Sequence, residues 1–209
     1  MSRARTNAEK DQRRQDLLSA ALDEFFEKGF SAARMDDIAA HAELSKGALY
    51  LYFQSKEALF TELIETLTEP NIDILETVAA NAPSLRAALD QIATIAPQII
   101  TSSDMPRLMK VIIGDAHNFP DIIRNFRRTV LERILGLVAG MLEQAQNNGE
   151  IVIADPQLGA RLIMAPFALS GIWQAVFGAD PDARVDLEGL FRMHADAFYN
   201  GVRRKGYAS

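Results

Sequence analysis

Apolar residues recur at three- and four-residue spacings along almost the whole chain, and no run of alternating β-branched residues breaks the pattern. The expectation is an all-α fold of about nine helices. A first helix over about residues 9–28 buries Leu17, Leu18, Ala21, Leu22, Phe25 and Phe26, and Gly29 stops it. Asp36 and Asp37 then open a short helix where carboxylates suit the positive helix end, with Ile38 and Ala39 as its apolar positions. Ser45 can cap the following helix, in which Leu49 and Phe53, four apart, face inward while Lys46, Ala48, Leu51 and Tyr52 face out. Ser55 caps again. From Lys56 and Glu57 a longer helix runs to about Ala80 on Leu59, Phe60, Leu63, Ile64 and Leu67, and Pro70 inside it should bend or interrupt it.

Five more helices follow by the same signals. They are expected at about 83–102 with Pro83 in the first turn, 104–117 with Ser103 or Asp104 as cap, and 119–147 with Pro120 at the start. Asp155-Pro156 opens the next, over 156–177, and Asp186 caps the last, from Leu187 to about Lys205 before a tail ending at Ser209. There is no internal repeat and no low-complexity tract.

Residues 29–59 combine two short helices, a tight turn and the start of a third helix, which is a helix-turn-helix. Gly29-Phe30 after a long amphipathic helix, then MDDIA, then S-K-G-x-L-Y-x-Y-F-x-S-K-E-x-L, resembles the DNA-binding head of the tetracycline-repressor family of bacterial transcription regulators. The resemblance covers about the first 65 residues. It implies a three-helix head over residues 1–55 and a larger helical ligand-binding and dimerisation body over 56–209. It also implies that Tyr50 and Tyr52 reach backbone phosphates and that Lys56 pairs with a phosphate at its helix start. The pattern departs from the family at Ala33 and Ala48, where threonine is common, and at Leu51, which offers apolar contact alone.

A recognition helix enters the major groove by its N-terminal end, so small and polar residues belong there. Ser45, Lys46, Gly47 and Ala48 suit that end: Lys46 can donate to guanine O6 and N7, Gly47 permits close approach, and the Ala48 methyl can touch a thymine methyl. Arg34, near the preceding helix start, can supply a phosphate contact. The plainer alternatives are a solvated Lys46 and a Tyr50 packed on the first helix.

Charge changes this picture only in its distribution. The 209 residues carry a net charge of -6, yet Arg3, Arg5, Lys10, Arg13 and Arg14 against Glu9 and Asp11 leave the first fifteen positive, and the acidic excess lies beyond residue 60. With 48% hydrophobic residues the chain can bury a substantial core, and without cysteine it forms neither disulfide nor thiolate metal site. No secretory leader is apparent in MSRARTNAEKDQRRQ, so a cytoplasmic location is expected. Leu162 to Ala179 is apolar but holds Pro166, Ser170, Gly171 and Gln174, which fits burial on two sides better than a membrane span.

The apolar content of the last two helices, with Leu162, Ile163, Phe167, Leu169, Ile172, Trp173, Val176 and Phe177 on one and Leu187, Leu190, Phe191, Met193 and Phe198 on the other, predicts a homodimer. A twofold pair of heads would suit double-stranded DNA with a palindromic operator. Met109, His117, Asn125, Phe126, Met141, Met164, Phe167, Trp173 and Gln174 are candidates for the pocket of a small apolar or aromatic effector, with plain core as the alternative for each. No enzyme signature is present: neither a G-x-S-x-G elbow, nor a phosphate-cradling loop, nor a dinucleotide fingerprint. His41, His117 and His194 have Ile38, Gly114 and Phe191 three residues before them, so no Glu-x-x-His pair exists, and neither metal nor cofactor is expected. The reading is a ligand-responsive DNA-binding regulator of repressor type; the competing one is a helical ligand-binding protein whose head no longer binds DNA.

Overall fold

The computed structural model describes residues 2–102, 104–115 and 117–204, with backbone alone for 2–6 and 102. The expected cap Ser103, the helix end at Lys205 and the tail to Ser209 lie outside them, as do the side chains of Arg3 and Arg5. Ten α-helices are present among the described residues: α1 (Ser2–Lys28), α2 (Met35–His41), α3 (Lys46–Tyr52), α4 (Lys56–Asn81), α5 (Leu85–Ser102), α6 (Met105–Asp115), α7 (Pro120–Phe126), α8 (Glu132–Asn147), α9 (Pro156–Phe177) and α10 (Leu187–Val202). Two compact units share them. One is Met1–Leu67 with Arg107–Phe126, the other Thr68–Pro106 with Arg127–Ser209. The first unit therefore takes in α6, α7 and the opening turns of α4 beyond the 1–55 segment that carries the helix-turn-helix.

Three local differences from the periodic reading have physical causes. The 119–147 segment is not one α-helix, because Arg127–Leu131 forms a π-helical turn between α7 and α8, a single-turn widening of the ladder. Helix α5 begins at Leu85 rather than 83, since the Ser84 hydroxyl accepts from Ala87 N–H at 3.2 Å and so takes the cap position. Helix α4 runs unbroken through Pro70 to Asn81. The Arg133 guanidinium of α8 donates to Glu69 on one side of that proline, at 2.9 Å, and to Glu76 on the other, at 2.7 Å, which braces the turn that has lost a hydrogen bond.

In the first unit the core begins at Leu17 and is centred on four rings. Phe25 of α1, Phe30 of the following loop, Phe60 of α4 and Phe119 ahead of α7 lie with centroids 4.6–5.3 Å apart, in tilted and edge-on pairs. Phe26, expected in the same stripe, is only half-buried and carries the Lys110 ammonium 4.0 Å from its ring centroid.

The second unit packs α5, α8, α9 and α10 around Leu89, Ala93, Val138, Leu142, Ile151, Ile163, Phe191 and Tyr199. Glu150, itself buried, accepts from Leu85 N–H at 2.9 Å and Arg86 N–H at 3.2 Å, satisfying two of the free donors at the start of α5. A Cβ at Gly159 would crowd Ile153 Cδ1 and Leu142 Cδ1, so any larger residue there would make those side chains shift. Helix α9 is long and apolar enough to cross a membrane, and its inner positions Ala160, Ile163 and Ser170 are buried. Its outer positions Leu158, Leu162, Leu169, Ile172, Trp173, Val176 and Phe177 are exposed. On α10 only Met193 is an exposed large apolar residue, while Phe191 is buried, so the apolar surplus expected of both helices belongs mainly to α9.

Glu150→Ala should strand the two α5 N–H groups and lower the unfolding free energy by about 1–3 kcal/mol. Denaturant titration followed by circular dichroism measures it, and Glu150→Gln, which keeps an acceptor, should recover part of the loss.

Candidate nucleic-acid interface

The helix-turn-helix is built from short-range hydrogen bonds. Arg34 stands at the N-cap of α2 in extended backbone without a side-chain cap, and Ala33 beside it is buried, so the hydroxyl absent there is absent from a core position. The turn closes as Leu44 N–H donates to Ala39 O at 2.9 Å, with Glu43 in the left-handed region at φ 54°. Ser45 Oγ accepts from Ala48 N–H at 3.2 Å and caps α3. Leu49 and Phe53 are buried beneath that helix. Ser45, Lys46, Gly47 and Tyr50 are exposed, Ala48 and Tyr52 are half-buried, and Leu51 is 86% exposed. Tyr50 is thus not packed on α1, and α3 presents one continuous outward face.

The charges around that face are largely paired within the head. Lys46 Nζ lies 2.8 Å from Asp36 Oδ1, joining the first turns of α2 and α3, and this partner raises the lysine pKa. Asp37 takes Lys28 at 3.2 Å. The two aspartates therefore serve as internal counter-ions, and Lys46 must leave Asp36 or share its protons to meet a base. Arg14, on α1, forks onto both carboxylate oxygens of Glu62 and lies over the Phe53 ring at 4.8 Å from its centroid.

Lys56 has partners within the head that its place at a helix start did not suggest. Its ammonium donates to Phe30 O at 2.6 Å, Ala33 O at 2.9 Å and Ser31 O at 3.2 Å, and lies 4.6 Å from the Phe30 ring centroid. All three N–H bonds are spent on the α1–α2 loop, and burial lowers its pKa. Lys56 thus staples the α1–α2 loop within the head. Asp115, the last residue of α6, holds the same loop from another side: its carboxylate accepts from Phe30 N–H at 2.8 Å and from the Ser31 hydroxyl at 3.4 Å. Gly29, at φ 79°, leaves room for that carboxylate, whose Oδ2 would sit 2.8 Å from any Cβ there. Sequence reasoning missed Arg14 and Asp115 as parts of this frame.

The nine candidate pocket residues do not fall in one unit. Met109, His117, Asn125 and Phe126 belong to the first, and Met141, Met164, Phe167, Trp173 and Gln174 to the second. His117 and Asn125 are exposed, Phe126 and Met141 buried, and the other five lie between or, for Trp173, at the surface. Trp173 is corrected to the outer face of α9, where its ring lies 4.8 Å from that of Phe177 and its indole N–H donates to Ala183 O at 2.8 Å. Met141 borders a recess of about 30 Å³ with Ala79, Leu85, Ala88 and Glu150, which has room for water and not for an effector. Among the described residues no three metal-ligating side chains converge.

Residues 17–63 match the family described as bacterial regulatory proteins, tetR family, and residues 87–188 match the AefR-like transcriptional repressor C-terminal domain. The chain belongs to the TetR family. The HTH-type transcriptional repressor BepR of Brucella suis is 26% identical over 170 residues, covering 77% of this chain and 79% of that protein. The HTH-type transcriptional regulator RutR of Escherichia coli strain K12 is 27% identical over 145 residues, 68% of this chain and 65% of its own. Among solved structures, the MbdR regulator from Azoarcus superposes with a TM-score of 0.73 at 24% identity, covering 90% of this chain and 98% of that one. A SmeT–triclosan complex superposes at 0.75 with 18% identity, covering 93% of each. Both share the TetR fold. The matched head spans α1 from Leu17 through the start of α4, so the cap at Ser45, the exposed face of α3 and the Lys56 staple all lie inside it.

Lys56→Met should destabilise the head by about 1–3 kcal/mol, because three loop carbonyls lose their donor. The salt slope of DNA binding, measured below the melting range, should stay unchanged. A slope smaller by about one unit would return Lys56 to the phosphate backbone.

Proposed function

We propose that this TetR-family chain is a homodimeric, ligand-responsive transcriptional repressor that binds a palindromic operator in the cytoplasm and is not an enzyme. The exposed face of α3 carries the reading: a capped seven-residue helix with Lys46, Gly47 and Ala48 at its leading end and with Tyr50 and Leu51 exposed. A major groove admits such a helix end-first. Lys46, Gly47 and Ala48 would read bases. Tyr50, Tyr52 and Arg34 would set the register on the phosphates.

Dimerisation is supported by the outer face of α9. Leu162 and Leu169, 61% and 63% exposed, continue into Ile172, Trp173, Val176 and Phe177, a stripe far too apolar for an isolated soluble helix. An aromatic or apolar effector is supported by the methionine and phenylalanine content of α6 to α9 and by the neighbour solved with triclosan. Such a ligand would act by binding one arrangement of the dimer better than the other, and operator affinity would fall by that difference.

Fluorescence anisotropy on fragments selected from genomic DNA tests the reading. Binding should weaken steeply from low to physiological salt. Lys46→Ala should cost roughly 1–3 kcal/mol on the preferred site and relax base choice at one position per half-site. Asp36→Asn, which frees Lys46, should tighten binding several-fold. Binding flat in salt would favour a helical ligand-binding protein whose head has lost DNA.

Leu169→Glu should turn a dimer at micromolar concentration into a monomer by sedimentation, since the interface would bury an unpaired charge. Its melting temperature should fall and lose the concentration dependence expected of the wild type.

A further inference from the structure

The first turns of α1 bury no described residue before Leu17. The helix starts at Ser2, but its first buried residue is Leu17; every residue from 7 to 16 is exposed apart from the half-buried Arg14. Alanine is the only apolar residue type in the segment 2–16. A helix polar on every face gains nothing from packing, and short helices are marginal in water. The exposed Gln12–Asp16 hydrogen bond, at 2.9 Å, is of the kind that adds only a few tenths of a kcal/mol to a helix.

What the segment does carry is charge of the opposite sign to the rest of the chain. Five cations, Arg3, Arg5, Lys10, Arg13 and Arg14, stand against Glu9, Asp11 and Asp16, a net of +2 in a chain whose net is -6. Arg14 is committed to Glu62. Lys10 and Arg13 make no hydrogen bond or ion pair among the described residues, unlike Lys28, Lys46 and Lys56 of the same unit.

Its place is fixed at one end. Arg14 lies over the ring of Phe53, the C-cap of α3, and within electrostatic reach of Tyr52. The free turns therefore spring from beside the C-terminal end of the recognition helix. Residues 2–13 rise about 18 Å at 1.5 Å per residue, about five base pairs of duplex.

We infer that residues 2–13 are a basic arm that binds the phosphate backbone of DNA flanking the base pairs read by α3, with Lys10 and Arg13 as its contacts nearest the head. The inference rests on the operator-binding reading above. The arm adds affinity and salt dependence without base choice, because lysine and arginine on phosphates position and do not specify. It also lengthens each half-site beyond the groove that α3 occupies.

The test is a Lys10→Gln, Arg13→Gln double variant of the full chain, both positions being exposed and far from any core. It is compared with wild type by anisotropy on the minimal palindrome and on one extended by six base pairs at each end, across a potassium chloride series. Wild type should prefer the extended duplex. The double variant should lose that preference, reduce the salt slope by about one to two units per head, and keep its base preference in the palindrome. Its hydroxyl-radical footprint should shorten on both flanks. Lys10→Arg with Arg13→Lys should behave as wild type. Equal slopes and footprints for wild type and the Gln variant, with the palindrome still bound, would overturn the arm and leave the operator reading standing. Wild type that binds neither duplex above a scrambled control would overturn both.

Discussion

The loop from Gly29 to Ala33 is where the geometry of the head is decided. Two helices must leave it at a fixed angle, α1 backward and α2 forward, and through α2 and its turn the loop sets where α3 stands. A loop of five residues has little means of fixing itself. Here Lys56 takes three of its carbonyls and Asp115 one of its amides, while Phe30 is clamped among Phe25, Phe60 and Phe119. Charge-assisted hydrogen bonds to backbone are worth about 1.5–3 kcal/mol each and are far more directional than ring packing. The rings supply the burial and the two charged groups supply the angle.

That arrangement explains why the head's compact unit extends beyond the helix-turn-helix. Asp115 stands 85 residues along the chain from the amide it accepts. Arg107 pairs with Asp23, and Lys110 covers the Phe26 ring, so α6 is bound to α1 by charge at both its ends and along its length. Within this unit a rotation or withdrawal of α6 would pull on the loop through a carboxylate that Gly29 lets approach to within contact of the backbone. A rigid strut of this kind transmits displacement without needing any change in the core beneath it.

What could be read from the sequence follows the range of the interactions. The caps of Ser45 and Ser55 are bonds across three residues, and the alternation of inward Leu49 and Phe53 with outward Leu51 is a helix period; both are legible because cause and effect sit in one window. Helix α5 starts at its local cap Ser84, two residues past the expected start, while the second acceptor for its first turn, Glu150, comes from 65 residues away and leaves no local mark. Lys56 was legible as a cation near DNA and illegible as a staple, since the three carbonyls that claim it belong to a loop whose path depends on φ 79° at Gly29. The π turn before α8 leaves no mark in an apolar period that both helix types satisfy locally. Trp173 looked like a pocket aromatic because periodicity cannot tell an inner face from an outer one on a helix apolar all round; only packing makes that distinction.

The electrostatics of the head then form a consistent whole. An acidic chain that met DNA with every basic residue free would bind without selectivity, because phosphate attraction is indifferent to sequence. In this head Lys28, Lys46 and Arg14 are each held by a carboxylate and Lys56 by carbonyls, whereas Arg34 stands exposed near Lys46. To meet a base, Lys46 must first be separated from Asp36. On the operator-binding reading, a guanine presenting two acceptors in line would repay that separation better than a mismatched base. Affinity that does not depend on sequence is then best supplied from elsewhere on the unit, by cations that have no internal partner to leave. Lys10 and Arg13 have no such partner among the described residues, and on the operator-binding reading strength and selectivity would be set by different residues.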